Sequence, residues 1–188
     1  VGKIAPNRIR RRFNTNIPHQ KITTDTTEFK YYEIDKKGRM TTKKLYLDPF
    51  MDMYNGEIIS YGLSKTPSSE NILNALDKAI EITKDCKYRR TFHSDRGWAY
   101  QMKAYKYKLK ENRIYQSMSR KGNCYDNSKM ENFFGILKQE MYYGKTYYSY
   151  EELEQAINTY IDYYNNKRIK EKLGWLSPVE FRIKRKIA

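Results

Sequence analysis

Three acidic residues, Asp25, Asp95 and Glu131, have the type and position that could support chemistry. Asp25 lies inside a predicted strand, Asp95 ends another, and Glu131 lies in the first turn of a predicted helix. Carboxylates that converge repel one another and raise each other's pKa. Mg2+ prefers oxygen ligands, and two such ions about 4 Å apart can activate an attacking oxygen and stabilise a leaving one. The three residues therefore predict a metal-dependent phosphoryl-transfer site.

Each carboxylate taken alone also has a structural explanation. Asp25 fits a polar residue of an edge strand, and Asp95 fits a turn residue before Gly97. Ser128 and Glu131 form the S-x-x-E pattern of a capping box, which accounts by itself for a glutamate at this place in a helix. The prediction of chemistry therefore depends on the three carboxylates coming together.

The elements that would position these carboxylates follow from hydrophobic spacing and turn residues. Five strands are predicted, at residues 21–34, 41–51, 56–64, 88–95 and 112–118. Helices are predicted to begin near residues 67, 98, 128 and 149, the last with a capping box formed by Ser149 and Glu152. This order predicts an α/β fold with a mixed five-stranded sheet flanked by helices, the layout of the ribonuclease H-like fold. Adjacent first and fourth strands would bring Asp25 beside Asp95.

The composition favours a polyanionic partner. The 188 residues include 37 basic and 22 acidic side chains, for a net charge of +15, and nucleic acid is the commonest partner of such a chain. A basic surface without any partner is the alternative. Two cysteines and two histidines are too few for a disulfide scaffold or a Cys/His metal cluster. No signal peptide or membrane-spanning run is evident, so we expect a cytoplasmic protein.

The chain is predicted to divide into three parts. Residues 1–20 form a basic N-terminal arm or linker with four arginines and two prolines. Residues 21–166 form the catalytic core, and residues 167–188 form a basic C-terminal tail.

Four sequence segments resemble the catalytic half of bacterial insertion-sequence transposases, which carry a core similar to that of retroviral integrases. The segments are TDTTEF, HSDRGWAY, SMSRKGNCYDNSKMENFFGILKQE and YYNNKRIKEKLGWLSPVEF. The resemblance runs from about Ile22 to Phe181 and includes the D-D-E spacing, with 35 residues between Asp95 and Glu131. It implies a ribonuclease H-like fold and DNA strand cleavage and joining that depend on Mg2+ or Mn2+, with two ions.

The resemblance also implies roles for particular residues and partners. Carried over by position, Asp25, Asp95 and Glu131 are the catalytic triad and the metal ligands. Lys138, two helical turns after Glu131, would contact DNA near the site. Arg120 and Lys121, in the loop before the helix, would contact a phosphate or the target strand. The partners would be DNA at the element ends and the target, and other copies of the chain. An upstream helix-turn-helix segment would recognise the DNA, and we expect that segment to be absent from this chain.

The resemblance has departures, and two other functions stay open. Thr23 and Thr24 precede Asp25 where the family commonly has a tryptophan, and Trp98-Ala99 replaces a small polar pair. The first alternative is a domesticated or fragmentary domain that binds DNA without chemistry. The second is a ribonuclease H-like nuclease that only hydrolyses.

Overall fold

The protein consists of one mixed sheet with helices on both faces, as described for residues 2–187 by a computed structural model. The six strands are β1 (Lys21–Thr24), β2 (Thr27–Ile34), β3 (Met40–Asp52), β4 (Ile58–Ser64), β5 (Thr91–Ser94) and β6 (Tyr115–Met118). The α-helices are α1 (Ser69–Ile82), α2 (Lys103–Glu111), α3 (Ser128–Met141), α4 (Tyr150–Asn166) and α5 (Pro178–Ile187). The predicted α/β class is confirmed.

Strand β1 lies in the middle of the sheet. It pairs antiparallel with β3 and parallel with β5, and β6 extends the parallel side. Strand β4 pairs antiparallel with β3. Thr23 pairs with His93 in the β1–β5 ladder, so Asp25 and Asp95 follow side by side where the two strands end. The predicted adjacency of the strands that carry these aspartates is confirmed.

The sheet has six strands where five were predicted, because the first predicted strand, residues 21–34, is interrupted at Asp25 and Thr26. Strands β1 and β2 keep one continuous antiparallel register against β3. That register places Asp25 opposite Pro49, which has no N–H to donate. The Thr26 amide instead donates to the Asp25 carboxylate, at 2.7 Å. The ladder therefore breaks at one of the three acidic residues of interest.

The core is divided between the two faces of the sheet, as period-2 alternation along β3 requires. Leu45 and Leu47 pack on the face covered by α3 and α4, whereas Phe50 packs on the face covered by α1 and α2. Buried helix residues on the first face are Met130, Phe133, Leu137, Leu153, Ile157 and Ile161. Those on the second face are Ile72, Ala75, Leu76, Ala79, Tyr105 and Leu109.

The two proposed capping boxes have different outcomes. Ser149 precedes α4 and its side chain accepts the Glu152 amide at 3.1 Å, so this helix start is confirmed. The box at Ser128 and Glu131 is wrong, because Ser128 is already helical (φ −62°, ψ −29°). Asn127 occupies the N-cap position, and its side chain makes no capping hydrogen bond. Glu131 therefore has no capping role here.

Both ends of the chain pack on the sheet domain. The amides of Arg8 and Ile9 donate to the Ser117 hydroxyl of β6, at 2.8 and 3.3 Å. Helix α5, which was not predicted, is tied to the segment before β4 by two hydrogen bonds from Arg182 to Glu57. No helix within residues 2–187 is both long enough and apolar enough to cross a membrane.

Candidate active site

One cavity of about 520 Å³, here called the carboxylate cavity, is lined by Asp25, Asp95 and Glu131. Asp25 follows the last residue of β1, Asp95 follows the last residue of β5, and Glu131 lies in the first turn of α3. The two aspartates are partly buried and Glu131 is exposed. The fold thus brings the three predicted residues to the same cavity.

The two aspartates are held in the same way. The Thr26 amide donates to Asp25 Oδ1 and the Gly97 amide donates to Asp95 Oδ1, both at 2.7 Å. Within residues 2–187, the second oxygen of each carboxylate makes no hydrogen bond. In each aspartate, therefore, one oxygen is fixed by a backbone amide one or two residues later, and the other is available for a ligand.

The cavity concentrates negative charge that the described part of the chain does not neutralise. Burial, followed by the charge of Asp95, raises the pKa of Asp25 to about 7, and Glu131 adds to the effect. Burial also raises the pKa of Glu131. No ion pair within residues 2–187 involves any of the three carboxylates. This is the electrostatic condition that a bound cation would relieve.

The donor chemistry fits a hard divalent cation, since all three groups offer carboxylate oxygens. As the side chains stand, no three His, Cys, Asp or Glu residues of the described chain are close enough together to hold a metal ion. Glu131 is exposed, and its side chain makes no hydrogen bond within residues 2–187. It can therefore turn toward the aspartates without breaking such a contact.

A fourth carboxylate, Asp48, lies close to the site and was not predicted. It lines a second cavity of about 260 Å³ together with Asp25 and Asp95. The Thr26 hydroxyl and the Asn71 amide donate to Asp48, and burial raises the pKa of this residue. The signal in the sequence was an aspartate inside an apolar strand, LYLDPF.

Two of the predicted DNA-contacting residues line the carboxylate cavity. Arg120 donates through Nε and Nη2 to the two carboxylate oxygens of Asp126, both at 3.0 Å. Lys121 is exposed and forms no ion pair in the described range. Arg96, which was not predicted, also lines the cavity and donates to the Ser119 carbonyl at 2.9 Å.

Lys138 lies further along α3 and is not among the described residues that line the carboxylate cavity. Its ammonium group is 5.2 Å from the centroid of the Phe29 ring. Burial lowers the pKa of Lys138, while the charge of Glu28 raises it. The structure therefore does not bring Lys138 to the three carboxylates.

Asp126 connects the loop before α3 to the N-terminal arm. This fully buried carboxylate accepts from Arg120, from Arg11 Nε at 3.0 Å and from Asn7 Nδ2 at 3.1 Å. The Arg120 guanidinium, with further hydrogen bonds, holds the pKa of Asp126 well below its usual range. Asp126 is therefore a charged centre that fixes two separate segments.

His93 extends this network into the sheet. Its Nε2–H donates to the Asp126 carbonyl at 2.8 Å, which leaves Nδ1 to accept from the Ser117 hydroxyl at 2.8 Å. The ring is fully buried, and burial lowers the pKa of His93, in agreement with a neutral imidazole. His93 therefore has a supporting position two residues before Asp95.

Asn127 links the start of α3 to the end of β1. Its Nδ2 donates to the Thr24 carbonyl at 3.1 Å, and its Oδ1 accepts from the Thr23 hydroxyl. Thr24 is the residue before Asp25, and Asn127 is one helical turn before Glu131. The side chain of Asn127 therefore fixes the spacing between the elements that carry two of the three carboxylates. A buried asparagine of this kind has no periodic signal in the sequence.

Comparison with known proteins identifies the family. A family model described as an integrase core domain matches residues 15–124, and a second model with the same description matches residues 131–185. The chain is 48% identical over 182 residues to an uncharacterized transposase-like protein of Haemophilus influenzae, covering 97% of this chain and 79% of the relative. It is 43% identical over 182 residues to a putative transposase for insertion sequence element IS150 of Escherichia coli, covering 97% of this chain and 61% of that protein.

Solved structures share the fold at low sequence identity. The HTLV-2 integrase catalytic core domain in complex with magnesium superposes with a TM-score of 0.64 at 18% identity, covering 88% of this chain and 97% of the other. The catalytic domain of the Mos1 mariner transposase gives a TM-score of 0.58 at 16% identity, covering 77% of this chain and 70% of the other. The predicted ribonuclease H-like arrangement is thereby confirmed. The chain belongs to the integrase core domain family, and its relatives in that family are described as transposases or transposase-like proteins.

Proposed function

We propose that this chain cleaves DNA strands and joins them to new sites, with Asp25, Asp95 and Glu131 as the catalytic residues and metal ligands. The observation that carries the proposal is the carboxylate cavity, which is lined by three carboxylates from three elements that form no ion pair in the described chain. Mg2+ or Mn2+, as two ions, is the proposed cofactor. The magnesium complex of the HTLV-2 integrase core supports this choice.

Metal held at these residues would activate the attacking oxygen and stabilise charge on the leaving oxygen. The chain would present oxygens to the metal: one from Asp25, one from Asp95, and those of the exposed Glu131 carboxylate to complete the set. Water is the nucleophile for cleavage and the freed 3′ hydroxyl is the nucleophile for joining. No covalent link between a side chain and DNA is therefore needed.

The basic residues beside the cavity would hold the DNA backbone. Arg96, Arg120 and Lys121 line the same cavity as the carboxylates, and the whole chain carries a net charge of +15. Cationic side chains around a reacting phosphate bind neighbouring phosphates and help to offset the charge that develops there. We assign Lys138 a more distant DNA contact, because it lies two turns along α3 from Glu131.

Assembly of several copies on DNA is a further part of the proposal. The HTLV-2 core has been described in trimeric and dimeric forms, which supports association of cores with this fold. Light scattering of the chain with and without a duplex measures this directly. A mass that stays at one copy per duplex at all concentrations would contradict assembly.

The central experiment is a strand cleavage and joining assay. Labelled duplexes carrying candidate element ends are incubated with Mg2+, Mn2+ or a chelator, beside the Glu131→Gln variant. Glutamine keeps the size of the side chain and removes the charge. We expect products only with metal, and at least a hundredfold less product from the variant, as for the loss of an essential electrostatic group.

Glu111→Gln is the matched control, because Glu111 is exposed at the end of α2 and the same charge is removed. Its products should equal those of the wild type. DNA binding without any product, even with a recognition segment joined upstream, would favour the binding-only alternative. Cleavage without joined products would favour a nuclease that only hydrolyses.

A further inference from the structure

A second cavity, of about 450 Å³, lies on another side of the first turn of α3. We call it the lysine cavity, because Lys129, Lys170 and Lys172 line it. Its remaining wall includes the turn between β3 and β4, with Asn55 and Gly56. The lining therefore combines three cations with amide groups, and the proposed reaction mechanism uses none of them.

Lys170 is held in place from several sides. Its ammonium group donates to the Tyr164 hydroxyl and lies 4.4 Å from the centroid of that ring. The Tyr164 hydroxyl donates in turn to the Gly56 carbonyl at 2.8 Å. A Cβ added at Gly56 would stand 2.9 Å from Lys170 Nζ, and Gly56 has a φ of +79°. The glycine therefore leaves room for the ammonium group as well as adopting the turn conformation.

The lysines of this cavity have no carboxylate partner in the described chain. Lys129 Nζ donates to the Met53 carbonyl at 2.7 Å, and no ion pair within residues 2–187 involves Lys129, Lys170 or Lys172. After burial, the groups that lower the pKa of Lys170 to about 8 are the cations Arg168, Lys129 and Lys172. Burial lowers the pKa of Lys129, whereas the charge of Asp52 raises it. The Asp52 carboxylate already accepts hydrogen bonds from the His19 and Tyr54 amides.

The lysine cavity and the carboxylate cavity share one helical turn. Lys129 and Asn132 face the first, whereas Asn127 and Glu131 face the second. A helix with its side chains is about 10 to 12 Å wide. A strand that crosses the start of α3 would thus place a phosphate in the lysine cavity within a few nucleotides of the reacting one.

We propose that the lysine cavity is a binding site for a backbone phosphate of DNA, with Lys129, Lys170 and Lys172 as its ligands. The inference rests on the proposed function, since it takes DNA as the substrate. Three ammonium groups that have no carboxylate partner among residues 2–187 attract an anion to a cavity, just as three carboxylates attract a metal ion. The site would hold the strand in position while the carboxylate cavity acts on a neighbouring phosphate.

The test is the salt dependence of duplex binding, measured by fluorescence anisotropy in chelator so that no cleavage takes place. The K129Q/K170Q/K172Q variant is compared with K36Q/K37Q/K43Q, whose three lysines are exposed around the β2–β3 turn. Both variants lose the same charge. We expect the first to bind about tenfold more weakly, with a slope of log affinity against log salt shallower by about 0.9, the value for one phosphate contact. The control should lose less than threefold, with an unchanged slope.

Equal losses in the two triple variants would overturn the site and leave only a general effect of charge. If the first variant does not fold, the single Lys170→Met change provides the same comparison against Lys36→Met. Because binding is measured without metal, its outcome does not depend on the cleavage assay. Cleavage that depends on Glu131, together with equal binding losses, would retain the proposed function and reject the phosphate site.

A neutral phosphate offers a second measurement. Single methylphosphonate groups are placed in turn along the strand that is cut, and binding is measured for each. We expect wild-type binding to weaken at one position within a few nucleotides of the cleavage point, and the Lys170→Met variant to be less sensitive there. The same methylphosphonate sensitivity in both proteins would contradict the assignment.

Discussion

At the scale of single residues, Gly97 sets the position of a predicted metal ligand. A Cβ at this residue would lie 2.9 Å from Asp95 Oδ1 and 3.3 Å from the Tyr100 ring, too close for both to stay in place. Because displacement of a reacting group by about 1 Å can cost about a hundredfold in rate, we expect Gly97→Ala to lower cleavage at least tenfold.

Gly135→Ala is the control for that change. Gly135 is an exposed residue inside α3, and nothing lies within 4 Å of an added Cβ. Alanine there should raise the free energy of unfolding by about 0.5 to 1 kcal/mol and leave cleavage unchanged. Equal cleavage by the two alanine variants would show that Gly97 does not constrain Asp95.

The raised pKa of Asp25 predicts how stability depends on pH. The ordinary value is 3.8 and the folded value is about 7, so the folded protein binds the additional proton between these limits. The free energy of unfolding should therefore fall as pH rises from about 4 to about 7. Asp25→Asn removes this loss and should melt at a higher temperature than the wild type at pH 8, with the difference shrinking toward pH 4.

Adding Mg2+ distinguishes metal binding at Asp25 from the effect of removing the Asp25 charge alone. Metal that binds only the folded state raises the melting temperature. We expect this rise at pH 8 for the wild type and for Glu111→Gln, and little or none for Asp25→Asn. Equal rises in all three proteins would exclude Asp25 as a ligand.

At the scale of elements, Asn127 is the link between β1 and α3. Asn127→Ala removes the hydrogen bonds that Asn127 makes with the Thr24 carbonyl and the Thr23 hydroxyl. Each buried polar group left without a partner lowers the free energy of unfolding by about 1 to 3 kcal/mol. We expect a lower melting temperature and a loss of cleavage larger than the loss of duplex binding, since Glu131 shifts while the basic surface remains.

Ser128→Ala is the companion variant. If Ser128 capped α3, its loss would cost about 1 kcal/mol. Ser128 is already helical and the N-cap is Asn127, so we expect a change below about 0.5 kcal/mol. A large loss from Ser128→Ala with a small one from Asn127→Ala would reverse the description of this helix start.

Local patterns in the sequence predicted most elements, whereas the choice of the three carboxylates depended on the resemblance to a known family. The predicted start of a helix near residue 128 agrees with α3, and the Ser149 box located the start of α4. The break at Asp25 was missed because it depends on Pro49, a cross-strand neighbour that no local pattern reveals. The roles of Asp126 and Asn127 were missed for the same reason, since Asn7, Arg11 and Thr24, to which they are hydrogen-bonded, lie more than 100 residues away.

At the scale of the whole molecule, binding of DNA should be coupled to proton uptake. Burial and neighbouring cations lower the pKa of Lys170 to about 8, and a bound phosphate would raise it again. We expect duplex binding near pH 8 to take up a fraction of a proton, measured by titration calorimetry in buffers of different ionisation enthalpy. Lys170→Met should remove that fraction, and Lys36→Met should not.

The lowered pKa of Lys170 should also make the stability of the DNA-free protein depend on pH. Lys170 has a folded pKa below its ordinary value of 10.5, so the unfolded chain binds more protons between about pH 8 and 10.5. Its contribution to the free energy of unfolding should therefore rise over that interval.

The division of the chain at residues 20 and 166 stays a prediction, although the N-terminal arm and α5 both pack on the sheet domain, through Ser117 and Glu57.

The parallel pairing of β1 with β5 has a consequence for synthesis of the protein. Asp25 and Asp95 are 70 residues apart in the chain, and Glu131 follows 36 residues later. Contacts of such long range form late, after the cost in entropy of closing the intervening loop has been met. A nascent chain still on the ribosome, or a fragment that ends before α3, therefore carries both aspartates but lacks Glu131, as well as Lys129, Lys170 and Lys172. Under the proposed function, emergence of α3 is the step that brings the third carboxylate to the two aspartates.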